Sequence, residues 1–372
     1  MNRYASNMSG PLLDNGRADD IVRLGLTNPN LLASLPLRRW DLLIRQARHA
    51  NLLGRLHALL EYAGVLDEVP SAPRNHLEAG RLIATSQERV IHWELYCIRK
   101  ALLPITEFVL LKGAAYALSG LPFARGRVQS DVDILVPKPK LPAVESALLE
   151  HGWVHMKVDQ YAQQIYRSWS HELPPLYHPD RGTVLDVHHS ILPLSGRLHP
   201  DPQKLLNSAE GIPGTIYQRL SPPDMVLHAS AHMFQDGDLS SGLREIADID
   251  GLIQAFSDEE NFWDQLLHRA QELTLCRPLY YALRYCREFL KTPIPPSVVS
   301  RTQFWAPPRP FVHAMDKLVT HALTPWTADP VPLFTRTARG LLYMRSHWLK
   351  MPPFLLARHL LHQSFHRDSS GA

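Results

Sequence analysis

The chain has 372 residues, of which 45% are apolar and 20% charged, and its formal net charge at pH 7 is +3. This length leaves room for two or three structural units around a large core, and the composition is that of a soluble globular protein. A net charge this small does not indicate a protein that coats nucleic acid, because such proteins carry dense basic surfaces. The three cysteines have no paired spacing, which argues against a disulfide framework or a zinc site and fits a reducing cytoplasm.

The hydropathy pattern bears on location. The N-terminal sequence MNRYASNMSGPLLDNGRADD lacks the continuous apolar region of a signal peptide. No segment approaches the roughly 18 to 20 consecutive apolar residues of a membrane span. We therefore expect a cytoplasmic protein without a membrane partner.

The first 104 residues have the pattern of an N-terminal helical segment. In WDLLIRQARHANLLGRLHALLEYAGV, apolar residues recur near helical spacing with arginines between them, and Gly64 predicts the end of the helix. The stretch from Ser71 to Leu103 predicts a second long helix that ends before Pro104.

After Pro104, short apolar runs alternate with helical stretches over about 90 residues. EFVLLKG, DVDILVP and TVLDVHHSIL predict strands, whereas AAYALSGL and LPAVESALLEHGW predict helices. Such alternation is typical of a compact unit in which helices cover a sheet. We predict an α+β fold with three parts: an N-terminal helical segment at 1–104, a small mixed-sheet core at 105–200 and a C-terminal helical domain at 215–372.

Helical periodicity returns from about residue 218. The prolines of PPDMVLHASAHMF suit the first turn of a helix, and LREIADIDGLIQAF, NFWDQLLHRAQEL and LYYALRYCREFL continue the helical pattern. The proline-rich stretch 292–312 predicts a linker or surface loop, and the basic tail ARHLLHQSFHRDSSGA predicts a frayed end.

Two aspartates, Asp131 and Asp133, alternate with apolar residues in the predicted strand DVDILVP. Side chains i and i+2 of a strand share a face, so the two carboxylates project together and repel unless a cation lies between them. Mg²⁺ takes carboxylate and phosphate oxygens, so we predict that both aspartates bind metal. Asp186, in the later strand, completes a three-carboxylate set able to hold two ions if the strands are adjacent. Solvated surface acids are the alternative.

The turn LLKGAAYA lies about 18 residues before the first carboxylate and has the character of a phosphate site. Gly113 allows a ligand to approach the backbone, the helix that opens after it favours an anion, and Lys112 adds positive charge. We assign Lys112, Gly113, Arg127 and Ser130 to nucleotide binding. An ordinary strand-to-helix turn is the alternative interpretation.

Together these motifs resemble the nucleotidyltransferase superfamily, which has a DNA polymerase β-like core. LLKGAAYAL, RVQSDVDILV, HGW and VLDVHHSIL are similar to a bacterial group described as uncharacterised nucleotidyltransferases, most clearly over residues 107–193. The resemblance implies a nucleotidyltransferase core in which Asp131, Asp133 and Asp186 bind two Mg²⁺ ions. It also implies an NTP donor, with ATP as the first candidate, and a hydroxyl acceptor that Asp186 helps to deprotonate. This sequence has Ala114 where the superfamily has serine, and its gap from Gly113 to Asp131 is longer than in minimal members.

We therefore predict a Mg²⁺-dependent nucleotidyltransferase that moves a nucleoside monophosphate from an NTP to a hydroxyl on a small molecule or a protein. Two alternatives stay open. A catalytically silent nucleotide-binding or interaction module is favoured by the missing serine hydroxyl. An RNA-modifying, toxin-like transferase is not favoured by the low net charge, which nevertheless leaves nucleic acid open as a partner.

Three further residues are candidates for contact with substrate. His188 shares a strand face with Asp186, and His171 precedes ELPPLYHPDRG, so each is either a substrate-contacting or a structural histidine. Arg244 is a candidate contact for the acceptor or the base, although its spacing from Asp248 is typical of a helical salt bridge.

The remaining polar and aromatic patterns favour structural roles. His228 and His232 have the spacing of a metal-binding pair, but no further ligand motif is nearby, and a helix face lining the cleft or core is preferred. Trp40, Trp93 and Trp263 lie on amphipathic patterns and are predicted to be core residues.

Overall fold

The computed structural model describes residues 21–157, 160–236, 239–325, 331–354 and 356. The basic tail predicted to fray, residues 357–372, lies outside the described residues. Within these ranges, no helix combines the length and the apolar character that crossing a membrane requires.

Helices predominate over strands in the described residues. The helices are α1 (Ile21–Thr27), α2 (Leu37–His49), α3 (Leu53–Tyr62), α4 (Ser71–Leu102), α5 (Lys112–Leu118), α6 (Leu141–Glu150), α7 (Gln160–Trp169), α8 (Pro202–Asn207), α9 (Pro222–Asp236), α10 (Gly242–Phe256), α11 (Phe262–Glu272), α12 (Cys276–Tyr285), α13 (Pro296–Thr302), α14 (Arg309–Leu323) and α15 (Leu333–Lys350). The strands are β1 (Val109–Leu110), β2 (Asp131–Leu135), β3 (Val154–His155), β4 (Leu176–His178), β5 (Thr183–His188), β6 (Glu210–Gly211) and β7 (Gln218–Arg219).

The seven strands form one mixed sheet in the order β3-β4-β5-β2-β1-β7-β6. At its centre β2 is parallel to β5 and antiparallel to β1. β7 is parallel to β1, whereas β3 and β6 pair antiparallel with β4 and β7 at the two edges. This mixed sheet, flanked by helices on both sides along the chain, confirms the predicted α+β fold.

The central strands are anchored by apolar side chains that alternate with polar ones. Val132, Ile134, Leu185 and Val187 are at most 1% exposed. Full burial of such a side chain contributes roughly 1.5–3 kcal/mol to folding. Because a slip of one residue would move these side chains to the other face, the apolar pattern fixes the register of β2 against β5.

The N-terminal helices follow the prediction with one interruption. The helix expected across WDLLIRQARHANLLGRLHALLEYAGV is divided into α2 and α3 at Asn51, whose φ is 55°. Asparagine is one of the residues that tolerate this left-handed conformation. The ends at Gly64 (φ 72°) and at the end of α4 agree with expectation.

The backbone of α3 lies almost directly against the backbone of the loop before β2. A Cβ atom at Gly54 would lie 2.5 Å from the carbonyl oxygen of Gly126 and 2.9 Å from that of Gly80 in α4. Gly126 itself has a φ of 75°, which strongly favours glycine. These glycines bring α3 against the segment that carries Arg127 toward the candidate site.

Two structural expectations for the helical segments are wrong. The stretch 292–312 is not one continuous loop, because α13 lies within it and α14 begins at Arg309. α13 and α14 each start directly after a proline, whose fixed φ suits the beginning of a helix.

Trp93 is 58% exposed and stacks on Tyr96, whereas Trp40 is buried and Trp263 packs against the core.

A buried ion network joins the N-terminal helices, the loop before β2 and α10. Asp248 accepts a hydrogen bond from Arg55 Nη1 at 3.2 Å and another from Arg127 Nε at 2.9 Å. Arg55 also donates to the carbonyl oxygen of Ala247 at 2.7 Å. The helical salt bridge expected between Arg244 and Asp248 is therefore absent, because the carboxylate faces the two other arginines.

Replacing Asp248 with asparagine should lower the free energy of unfolding by about 3–5 kcal/mol, because two buried guanidinium groups would lose their counter-charge. Urea denaturation followed by circular dichroism measures this difference. The matched control is Asp41→Asn, which breaks the exposed pair with Arg45 at 2.8 Å and should cost less than about 1 kcal/mol. Equal effects of the two substitutions would contradict the structural role given to Asp248.

Candidate functional site

A cleft with about 690 Å³ of empty space, part of it open to solvent, lies between the sheet and the helices α9 and α10. Seven of the residues predicted for metal, nucleotide or substrate line this cleft: Lys112, Gly113, Arg127, Ser130, Asp131, Asp133 and Arg244. The other three, Asp186, His188 and His171, do not belong to its lining. Three separate parts of the chain thus bring these predicted residues to one place.

The acidic side chains share one face of the sheet. In the parallel pairing of β2 with β5, Asp133 lies directly opposite Asp186, and Asp131 lies two positions before Asp133. Oδ1 of Asp186 is buried and has no hydrogen-bond partner in the described structure. Burial, together with the nearby charges of Asp133 and Glu172, raises the pKa of Asp186 to about 7. A cation bound beside Asp186 would therefore stabilise its ionised form.

Lys112 places a cation beside the paired aspartates. Its Nζ lies 2.8 Å from Oδ1 of Asp133. Burial opposes the charged form of each group, but their mutual attraction prevails, so the pKa of Lys112 is raised and that of Asp133 is lowered. Lys112 also has a φ of 45°, an uncommon conformation for this residue, at the first position of α5.

A second group, His188, contacts the same carboxylate of Asp133 and does not line the cleft. His188 Nε2 lies 2.9 Å from the same Oδ1 of Asp133, and His188 Nδ1 lies 3.2 Å from Oε2 of Glu172. Burial lowers the pKa of His188. The hydrogen bond to Asp133 and the charge of Glu172 raise it by more, so the pKa lies above its usual value. Burial and the neighbouring His188 hold the pKa of His171 well below its usual value.

Glu172 was missed by the sequence analysis. It lies in a loop, in SHELPP, without a repeating pattern, and only its bridge to His188 in β5 reveals its position. Glu172 forms a group of potential metal ligands with His171 and His188. Among the described residues, these three have donor atoms that all lie within 4.8 Å of one another. The three aspartates share a face but do not form such a group.

The residues assigned to nucleotide binding are partly engaged with the protein. Arg127 is held by Asp248 and lies over the ring of Tyr116 at 5.6 Å. Ser130 donates to Oδ1 of Asp131 at 3.1 Å. A Cβ atom at Gly113 would lie 3.0 Å from Gln129 Oε1 and would collide with Nη1 of Arg127, so the absence of a side chain admits these groups.

Arg244 contributes an unengaged guanidinium to the cleft. Its Nε is buried without a hydrogen-bond partner, and among the described residues no ion pair or hydrogen bond involves its side chain. His232 lines the same wall of α9 and α10, whereas His228 is 3% exposed and lies in the interior. The pair on α9 therefore has the structural placement that the sequence favoured.

The donor atoms of the site suit a divalent cation, provided that two rearrangements occur. Asp131, Asp133 and Asp186 offer only oxygen donors, as Mg²⁺ prefers, and no described residue forms a hydrogen bond with the buried Oδ1 of Asp186. The side chains must converge, and Lys112 must release Asp133, before the three carboxylates share an ion. A metal ion bound here would thus compete with Lys112 for the carboxylate of Asp133.

The chain matches the model of a described protein family. A model of the family described as uncharacterised nucleotidyltransferase matches residues 36–291. This range begins one residue before α2 and includes the whole sheet and both walls of the cleft. No curated protein matches the chain, and no solved structure matches it.

The competition at Asp133 can be measured without any substrate. Lys112→Met should tighten the binding of Mn²⁺, used as a probe for magnesium, by at least about tenfold, because a unit charge leaves the carboxylate. Isothermal titration or the electron paramagnetic resonance signal of free Mn²⁺ gives the affinity. Lys100→Met, a change on the exposed face of α4, is the control. Unchanged or weaker Mn²⁺ binding by Lys112→Met would show that the lysine does not occupy the metal's place.

Proposed function

This chain belongs to the uncharacterised nucleotidyltransferase family, and from this premise we propose that it transfers a nucleoside monophosphate from an NTP to a hydroxyl group with the help of Mg²⁺. ATP is the first candidate for the donor, and a small molecule or a protein side chain is the proposed acceptor. The observation that carries the proposal is the register of β2 and β5, which puts Asp133 opposite Asp186 and Asp131 on the same face.

The proposed reaction exchanges one bond for another at phosphorus. The acceptor hydroxyl oxygen forms a bond to the α-phosphorus, the bond from that phosphorus to the bridging oxygen breaks, and pyrophosphate leaves. Bound magnesium would neutralise the charge that gathers on the phosphate oxygens. Asp131, Asp133 and Asp186 would hold the metal, and Asp186 would accept the hydroxyl proton.

The cations of the cleft would hold the triphosphate. Lys112, once it leaves Asp133, is free to contact phosphate oxygens from the beginning of α5. Arg244 faces the same cleft with a guanidinium that no described residue engages, and a guanidinium suits two oxygens of one phosphate. Arg127 is held by Asp248, so its proposed part is to shape the wall beside Gly113.

One observation favours a second candidate, a silent nucleotide-binding module. The ion pair of Lys112 with Asp133 already neutralises one of the carboxylates, and the three aspartates do not converge. Incubation of the purified protein with each labelled NTP and Mg²⁺ distinguishes the two functions. Pyrophosphate release, with label transferred to the protein or to components of a cell lysate, supports the transferase. Binding without turnover supports the module.

Removal of either paired carboxylate should abolish the transfer. Asp131→Asn and Asp133→Asn are each expected to lower the rate of pyrophosphate release by at least about a hundredfold, since several kcal/mol of charge stabilisation depend on the metal. Circular dichroism checks that the fold survives. Asp180→Asn, at an exposed turn residue, is the matched control. Full turnover in either active-site variant would refute the metal assignment.

Arg244 provides a separate test of the triphosphate position. A charge-assisted hydrogen bond contributes roughly 1.5–3 kcal/mol, so Arg244→Ala should weaken NTP binding by about ten- to a hundredfold. Fluorescence titration with a labelled nucleotide measures this, and the exposed Arg287, changed to alanine, serves as the control. If Arg244→Ala binds the nucleotide as the unaltered protein does, the phosphates lie elsewhere.

A further inference from the structure

A cluster of metal-ligating side chains lies behind Asp133. Oε2 of Glu172 is 3.2 Å from Nδ1 of His188 and 3.8 Å from Nε2 of His171, and the donor atoms all lie within 4.8 Å of one another. Around a tetrahedral Zn²⁺ with bonds of about 2.1 Å, two ligand atoms are separated by about 3.4 Å. The two measured separations lie on either side of this value, so both are close to the spacing of two zinc ligands.

The inner histidine is oriented as a metal ligand. His188 is 3% exposed, and its Nδ1 is buried with no hydrogen-bond partner in the described structure. Its other nitrogen, Nε2, lies 2.9 Å from Asp133. If that nitrogen carries the proton and donates it to the carboxylate, Nδ1 keeps a lone pair that no described group uses. A carboxylate that orients a histidine in this way is the usual outer partner of a metal-binding imidazole.

A simple ion pair, in which His188 is a cation between the two carboxylates, satisfies only one of its nitrogens by a hydrogen bond. A doubly protonated His188 would donate to both carboxylates, but its 3.2 Å contact with Glu172 is not aligned as a hydrogen bond. Its Nδ1 would then be a buried donor without an acceptor, which is costly. A metal ion bound to Nδ1 removes that cost.

The backbone holds the three ligands in place. Glu172 forms an isolated antiparallel bridge with His188. On either side of it, the amide of Leu173 donates to Val187 at 2.9 Å and the amide of His189 donates to His171 at 2.8 Å. The loop that carries two ligands is thus fixed along the strand that carries the third. Ligands held on rigid backbone are what a built metal site requires.

We propose that His171, Glu172 and His188 form a second metal site, which binds one Zn²⁺ ion and is distinct from the magnesium carboxylates. Two imidazoles and one carboxylate suit zinc rather than magnesium, and three protein ligands leave a fourth position open. The spacing of the cysteines argued against a zinc site with cysteine ligands. It does not bear on a site built from histidine and glutamate. Through His188, the ion would fix the position of Asp133 from behind.

Cobalt titration of the full-length protein tests the site, because Co²⁺ replaces zinc and absorbs visible light strongly when it is tetrahedral. We expect one equivalent of CoCl₂ to give this absorption in the unaltered protein. The affinity should fall at least about tenfold in His171→Ala and in Glu172→Gln. Asp131→Asn should leave it unchanged, since Asp131 belongs only to the carboxylate set. Circular dichroism checks each fold, and Glu172→Gln carries the test if His171→Ala does not fold.

The other outcomes overturn the second site. Absence of the tetrahedral spectrum in the folded protein means that no such site exists. Loss of cobalt in Asp131→Asn, with or without loss in His171→Ala, means that the ion was held by the cleft carboxylates. Mn²⁺ binding to His171→Ala reports on the magnesium site alone, so failure of the zinc proposal and failure of the proposed transfer are separable.

Discussion

The parallel pairing of β2 with β5 is the constraint on which the rest of the site depends. Its register sets Asp133 against Asp186 on one face while Val132, Ile134, Leu185 and Val187 fill the other. The apolar face fixes the register, and the register fixes the charges. Two carboxylates on one buried face of a sheet must be compensated, and here Lys112 and His188 both contact a single oxygen of Asp133. The pairing of β2 with β5 therefore determines both the stability of the sheet and the arrangement of charge in the cleft.

The helical segments are structural parts of the cleft rather than attachments to a finished sheet. α3 supplies Arg55 and α10 supplies Asp248, and the carboxylate binds Arg55 and Arg127 together. The glycine contact between Gly54 and Gly126 brings these groups within reach. The family match, which begins just before α2 and extends past α12, covers this whole arrangement. The wall that faces the carboxylates thus depends on helices far from them in sequence.

Local patterns in the sequence were sufficient to predict the elements that are long or strictly alternating. The strand DVDILVP, the helix α4 and the common face of Asp131 and Asp133 all follow from spacing alone. Strands of two residues, such as β6, are too short to show a period. The predicted loop at 292–312 was wrong because proline begins helices as readily as it ends them.

Contacts between distant residues could not be predicted, because nothing local encodes them. Asp248 and Arg55 are 193 positions apart, so the helical spacing of Asp248 from Arg244 suggested the wrong partner. The positive charge of Lys112 was evident from the sequence, but its pairing with Asp133 required the fold. Glu172 lies in an irregular loop, and its importance appears only when that loop is laid along β5.

The shortness of the outermost strands has a consequence for the behaviour of the protein in solution. β3 and β6, at the two edges of the sheet, contain two residues each. A long exposed edge would offer unpaired amides and carbonyls to the strand of another molecule, which is a common route to aggregation. The edge strands of the described sheet are therefore too short to pair well with a strand of another molecule. The sheet can carry charged residues on its central strands without promoting aggregation through its edges.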